Sequence, residues 1–192
     1  LKIMKSNNCK TIVFSSTAAV YGFPKKNLIS ENQTLKPINP YGLTKLSIEY
    51  ILKNIYDSDP TEWRIVNLRY FNPIGAHTSG LIGEDPLGIP NNIFPLIMQV
   101  AQGKISSLKV FGNDWPTSDG TGVRDYIHVM DLAHGHLLAL EYLIYNPSLI
   151  LNINLGTGIG SSVLDLIKTF ERVNNIEIPF HFGERRKGDA AI

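Results

Sequence analysis

Short apolar runs alternating with helical stripes predict an α/β fold built on a parallel sheet. Three stretches carry that reading: the run Lys10–Ser15, a helix from Asn39 to Tyr56, and a second run from Arg64 to Tyr70. Taken in order they form a right-handed crossover between parallel strands, the first of them apolar enough to be covered on both faces.

The elements follow along the chain. Leu1 to Lys10 reads as the tail of a helix, and a start at Leu1 rather than Met predicts a fragment. Ser15, Ser16 and Thr17 place hydroxyls at the carboxyl end of the first strand, where open α/β sheets bind ligands, although a plain Ser/Thr turn would look the same. Phe23 to Pro40, rich in Pro, Asn and Lys, reads as an ordered loop. Asn39 is suited to cap the next helix and Pro40 to open it, with Ile48, Ile51, Leu52 and Ile55 as the buried stripe. After Tyr70, a Gly- and Pro-rich loop through Asn91 is too long for a mere connector. A helix is predicted from Asn92 to Gly103, buried through Ile93, Leu96, Ile97 and Val100, and a strand at Leu108–Phe111. Gly112–Gly122 is a second ligand-sized loop, followed by a strand at Val123–Val129, a helix Asp131–Tyr145 capped by Asp131, and a strand at Leu151–Leu155. Gly156, Gly158 and Gly160 then turn into a helix begun by Ser162 and Asp165, and the chain closes in a basic, Gly-flanked tail. The spacing of those glycines is wrong for a dinucleotide fingerprint, and no pyrophosphate-cradling loop is legible anywhere in the sequence.

Composition narrows the function classes. Eighteen basic against 17 acidic residues leave a net charge of +1, which argues against a broad nucleic-acid surface or a polybasic membrane anchor. The single cysteine, Cys9, allows neither an intrachain disulfide nor a cysteine metal cluster, and fits a reducing, cytoplasmic setting. No apolar run approaches a membrane span. The five histidines lack metal-ligand spacing with carboxylates, so no metal site is expected.

The chemistry concentrates on the Asn39 helix. Tyr41 and Lys45 stand four residues apart, so phenol and ammonium project from one face. A fixed positive charge beside a phenol favours phenolate, which predicts a lowered Tyr41 pKa and a base usable near neutral pH. A solvated helix face would show the same two residues.

Thr17, Tyr41 and Lys45 in this order resemble the Ser/Thr, Tyr and Lys of the extended short-chain dehydrogenase/reductase family. The runs FSSTAAVYG (Phe14–Gly22), RYFNP (Arg69–Pro73), GEDP (Gly83–Pro86), GIPNN (Gly88–Asn92) and DGTGVRDYIHVMD (Asp119–Asp131) are similar, within that family, to the nucleotide-sugar 4-epimerases, and the resemblance covers nearly the whole chain. It implies a Rossmann-like parallel sheet flanked by helices, lacking its N-terminal half, with a smaller substrate-binding lobe. Residues 1–76 and 126–156 would belong to the sheet domain and 77–125 and 157–192 to the lobe. It implies NAD as cofactor and a UDP-hexose as substrate, UDP-galactose and UDP-glucose being interconverted at C4 through a 4-keto sugar. Tyr41 would be the base, Lys45 its partner toward the nicotinamide ribose, and Thr17 the bridge to the 4-oxygen. Phe71 would lie beside the nicotinamide, and Asn72 would contact the sugar. Asn92, Ile93, Lys109, Val110 and Phe111 would hold the uridine side. Arg124 and Arg186 would take the pyrophosphate, with Lys187, Gly188 and Asp189 completing the match, although either arginine could equally serve a surface ion pair. A homodimer paired through helices that include the Tyr41 helix is implied too. Thr17 stands where these epimerases often carry Ser, which keeps the hydroxyl. Ala18 and Ala19 stand where the related dehydratases carry acidic groups, which counts against elimination of water. A hexuronate or N-acetylhexosamine epimerase, or a non-catalytic nucleotide-sugar binder, are the rival expectations.

Overall fold

The computed structural model describes residues 1–24 and 28–192; the predicted loop from Phe23 to Pro40 runs through residues 25–27, which lie outside the described residues. In chain order the elements are α1 (Lys2–Ser6), β1 (Thr11–Ser15), a 3-10 turn at Ala18–Tyr21, α2 (Pro40–Ser58), β2 (Arg64–Tyr70), β3 (Asn72–Ile74), α3 (Ile93–Ala101), β4 (Leu108–Phe111), β5 (Val123–His128), α4 (Val129–Tyr145), β6 (Leu149–Leu155), β7 (Gly160–Ser162), α5 (Val163–Asn174) and β8 (Phe180–Gly183). They divide between two compact units, Leu1–Phe71 with Asp131–Gly156, and Asn72–Met130 with Thr157–Ile192.

The first unit is the predicted parallel sheet, in the order β1-β2-β6, with Val13 level with Val66 and Val66 with Leu151. Central β2 is buried from Ile65 to Arg69, as a strand covered on both faces must be. Side chains alternate across it. Val66 and Leu68 pack under Ala139 and Leu143 of α4, whereas Ile65 packs with Trp63 and Leu52 of α2. Each such apolar side chain contributes roughly 1.5–3 kcal/mol by leaving water.

Two details of the predicted helices need correcting. Asn39 does cap α2, accepting the Gly42 N–H at 2.8 Å, but the buried face is Gly42, Leu46, Glu49 and Leu52, while Ile48 and Ile51 are 37% and 50% exposed. A carboxylate sits on the inward face, so a stripe counted from apolar residues alone is rotated away from it. At α4, Asp131 lies inside the first turn rather than at the cap; the helix starts at Val129, and the His128 ring accepts the Met130 N–H at 3.2 Å.

In the second unit β3 pairs parallel and β7 antiparallel with β5, and β4 pairs parallel with β8. Ile97, Val100, Leu108, Val110, Ile167 and Ile178 form its core. Ser162 and Asp165 make the predicted capping box of α5. β8 falls in the stretch expected to be only a basic tail: Phe180, His181 and Phe182 are all exposed, so no hydrophobic alternation marks a strand that exists by pairing with β4.

Candidate active site

In the first unit, the end of β1 and the start of α2 bring three predicted residues together. Thr17 caps the 3-10 turn, its Oγ1 accepting the Ala19 N–H at 3.1 Å, which leaves its own proton for an outside acceptor. Lys45 Nζ donates to the Ser15 carbonyl at 2.9 Å and lies 5.2 Å from the Phe14 ring centroid and 5.7 Å from that of Tyr41. Tyr41 is 52% exposed, so its phenol is open to a ligand. Phe71 follows β2, its N–H donating to the Leu155 carbonyl at 3.1 Å.

The Tyr41 phenol departs from expectation: its pKa is raised, chiefly by its partial burial and next by Tyr70, with the Thr17 hydroxyl working the other way.

Beneath these groups lies a polar network that the sequence reading missed. Glu49, one turn beyond Lys45, takes a hydrogen bond from the Ser16 hydroxyl and a two-pronged ion pair from Arg69, Nη2 to Oε2 at 2.6 Å and Nε to Oε1 at 3.1 Å. Arg69 Nη1 donates to the Tyr21 hydroxyl at 3.0 Å, and Tyr21 donates to Asn154 Oδ1 at 2.7 Å. Burial opposes the Arg69 charge, but the Glu49 carboxylate more than offsets it and holds the guanidinium pKa above its ordinary value; burial pushes the Tyr21 phenol up despite Arg69. The available signal was a charge at Glu49, four residues beyond Lys45 on α2.

The second unit carries a cleft of about 190 Å³. Asn72, Asn92, Ile93, Lys109, Val110, Phe111, Arg124, Arg186 and Asp189 all line it, as do Trp115 and Tyr126, which had not been singled out. Three cations face one carboxylate there, a lining suited to a phosphate anion. The Arg186 guanidinium lies 4.6 Å from the Phe111 ring centroid, and Arg185 holds Trp115 by stacking at 4.3 Å while its Nε donates to Asp114 at 2.7 Å. Asn92 is tied to Glu84 at 2.6 Å. Burial raises the Tyr126 pKa, with Arg124 opposing, so the phenol stays a donor at neutral pH. Lys187 and Gly188 do not line the cleft; they form an exposed turn, with Gly188 at φ +84, between the two residues that do.

Relatives with this organisation are known. The chain is 55% identical over 192 residues to UDP-glucose 4-epimerase 4 of Oryza sativa subsp. japonica, which covers all of this chain and 52% of that protein. A UDP-glucose 4-epimerase from Stenotrophomonas maltophila, solved with bound NAD and formylated UDP-arabinopyranose, matches 99% of this chain and 56% of its own at 46% identity and a TM-score of 0.95. That of Bifidobacterium longum, in complex with NAD+ and UDP, matches 98% of this chain and 56% of its own at 49% identity and a TM-score of 0.93. The chain thus spans about half the length of the relatives it matches. Residues 1–153 also fit the family model directly, and this chain belongs to the NAD dependent epimerase/dehydratase family.

Proposed function

We propose that the protein acts as an NAD-dependent epimerase that interconverts UDP-galactose and UDP-glucose at C4. The observation that carries this reading is the meeting of the Thr17 hydroxyl, the open Tyr41 phenol and the Lys45 ammonium at one strand end. The donor set fits the reacting end of the cofactor: among the described residues Lys45 spends only one of its three N–H donors, on Ser15, leaving two for ribose hydroxyls. Bound at this strand end, NAD would supply hydride acceptance and return at C4 with no net redox change, as a prosthetic group does. Tyr41 accepts the proton of the 4-hydroxyl and later gives it back, with Thr17 donating to the same oxygen. Burial raises the Tyr41 phenol, and a positive charge brought beside it would work in the opposite direction, toward phenolate.

Asn72, Lys109, Arg124 and Arg186 supply the UDP contacts in this reading. Ala18 and Ala19 in the 3-10 turn offer no acid or base for elimination, which favours epimerase over dehydratase. A homodimer through α2 is supported by exposed Leu43, Tyr50 and Ile51, and a cytoplasmic setting by the lone free Cys9. Among the described residues no helix is long and apolar enough to cross a membrane.

The test is conversion of UDP-galactose to UDP-glucose without added reductant, by the 192-residue chain and by the protein from its complete reading frame, each with Tyr41→Phe alongside. Turnover that falls at least about 10²-fold in the variant supports the reading. Turnover untouched by Tyr41→Phe, or none from the complete frame with NAD bound, refutes it.

A further inference from the structure

We propose that Arg69 is a positioning residue whose task is to keep Glu49 from capturing Lys45. Lys45 and Glu49 are four apart on α2, a spacing at which opposite charges are surface neighbours and pair readily. Both reach the same strand end, Lys45 to the Ser15 carbonyl and Glu49 to the Ser16 hydroxyl. They nevertheless do not pair. Both carboxylate oxygens are held by Arg69, which is 2% exposed while Glu49 is 4% exposed. Its planar fork matches a carboxylate two-pronged, which a lysine cannot do, and its third nitrogen is tethered through Tyr21 to Asn154 of β6. Arg69 also stands on the face of β2 that carries Ile65, the face covered by α2.

Without Arg69, a buried carboxylate would lack its counter-charge and the nearest ammonium on its helix face would be Lys45. Drawn one turn along the helix, Lys45 would leave Ser15 and the phenol. The fold therefore separates a scaffold ion pair, Glu49 with Arg69, from a working cation, Lys45. The consequence for catalysis rests on the epimerase reading, but the separation itself is measurable with neither cofactor nor substrate.

Labelling serine carbonyl carbons with ¹³C and serine nitrogens with ¹⁵N selects Ser15, Ser106 and Ser161, the residues followed by another serine. The Ser15 signal reports the Lys45 hydrogen bond, with Lys45→Met marking the released position. In the full chain, Arg69→Met is expected to move the Ser15 signal more than half way to that mark, Glu49→Gln to leave it at the wild-type position, and the double variant to restore it. A wild-type Ser15 signal in Arg69→Met, with Ser106 and Ser161 unmoved, would overturn the proposal. So would a Glu49→Gln signal displaced as far as that of Arg69→Met, since a purely structural pair is damaged equally from either side. If Arg69→Met does not fold, Arg69→Lys takes its place: an intermediate displacement supports the proposal, and none overturns it. Failure of the epimerase reading would appear separately, as lost turnover with these signals behaving as expected.

Discussion

Replacing Gly42 by alanine sets two effects of opposite sign against each other at the start of α2. A helical Gly→Ala change gains up to about 1 kcal/mol from helix propensity. Gly42 requires no positive φ, so its backbone does not object. A Cβ there would, however, stand 2.7 Å from the Ala19 carbonyl oxygen and 3.0 Å from Pro37 Cβ. Ordinary contact begins near 3.4 Å, so the first turn of α2 must retreat by about 0.7 Å, and the obstacle is backbone that cannot swing aside. Overpacking of this kind typically costs 1–3 kcal/mol, which leaves Gly42→Ala destabilised by roughly 0–3 kcal/mol. The displacement falls on the turn that Thr17 caps and on the helix that carries Tyr41, and a misplacement of this size can cost on the order of 10²-fold in rate. Urea unfolding of the variant should give a lower midpoint at unchanged slope. Titration of the Tyr41 phenol should move down toward the ordinary value of ~10 as its surroundings open. A variant about 1 kcal/mol more stable than wild type, with its phenol unmoved, would refute the reasoning.

Two further outcomes follow from the second unit. Ile167 is fully buried against Ile97, Leu108 and Ile178, so Ile167→Ala should cost roughly 2–5 kcal/mol in chemical denaturation; a loss under about 1 kcal/mol would mean that this core is loosely packed. Burial works against the Asp119 charge, but the hydroxyls of Ser162 and Thr121 and the Thr121 N–H outweigh it and hold its carboxyl below the ordinary value. Between the folded and unfolded pKa the unfolded chain binds more protons. The stability Asp119 contributes is therefore present above the ordinary carboxylate range and lost as pH falls through the depressed folded value. Asp119→Asn should flatten the acid limb of a stability-pH curve without abolishing it, because Glu62 and Asp114 are also depressed by Lys10 and Arg185. An acid limb identical to wild type would remove Asp119 from the account.

Much of this architecture follows from local rules. The strand ends of Thr11–Ser15 and Arg64–Tyr70, the Asn39 cap and the Ser162 capping box depend on residues within one turn or one strand, so periodicity and cap chemistry locate them. The four-residue spacing of Tyr41 and Lys45 likewise determined that they share a face. Which direction that face points was another matter: Glu49 belongs inside only because Arg69, twenty residues away on β2, supplies its counter-charge. The raised Tyr41 phenol has the same origin, since burial and Tyr70 outweigh anything legible in a spacing. The cleft joins Asn72 to Asp189 across most of the second unit's length, and β8 is a strand only because β4 lies beside it. Spacing along the chain determined the elements and which side chains could act together. Charge neutralisation, pKa and cleft lining were decided by groups far apart in sequence, because burial and Coulomb interaction depend on distance in space.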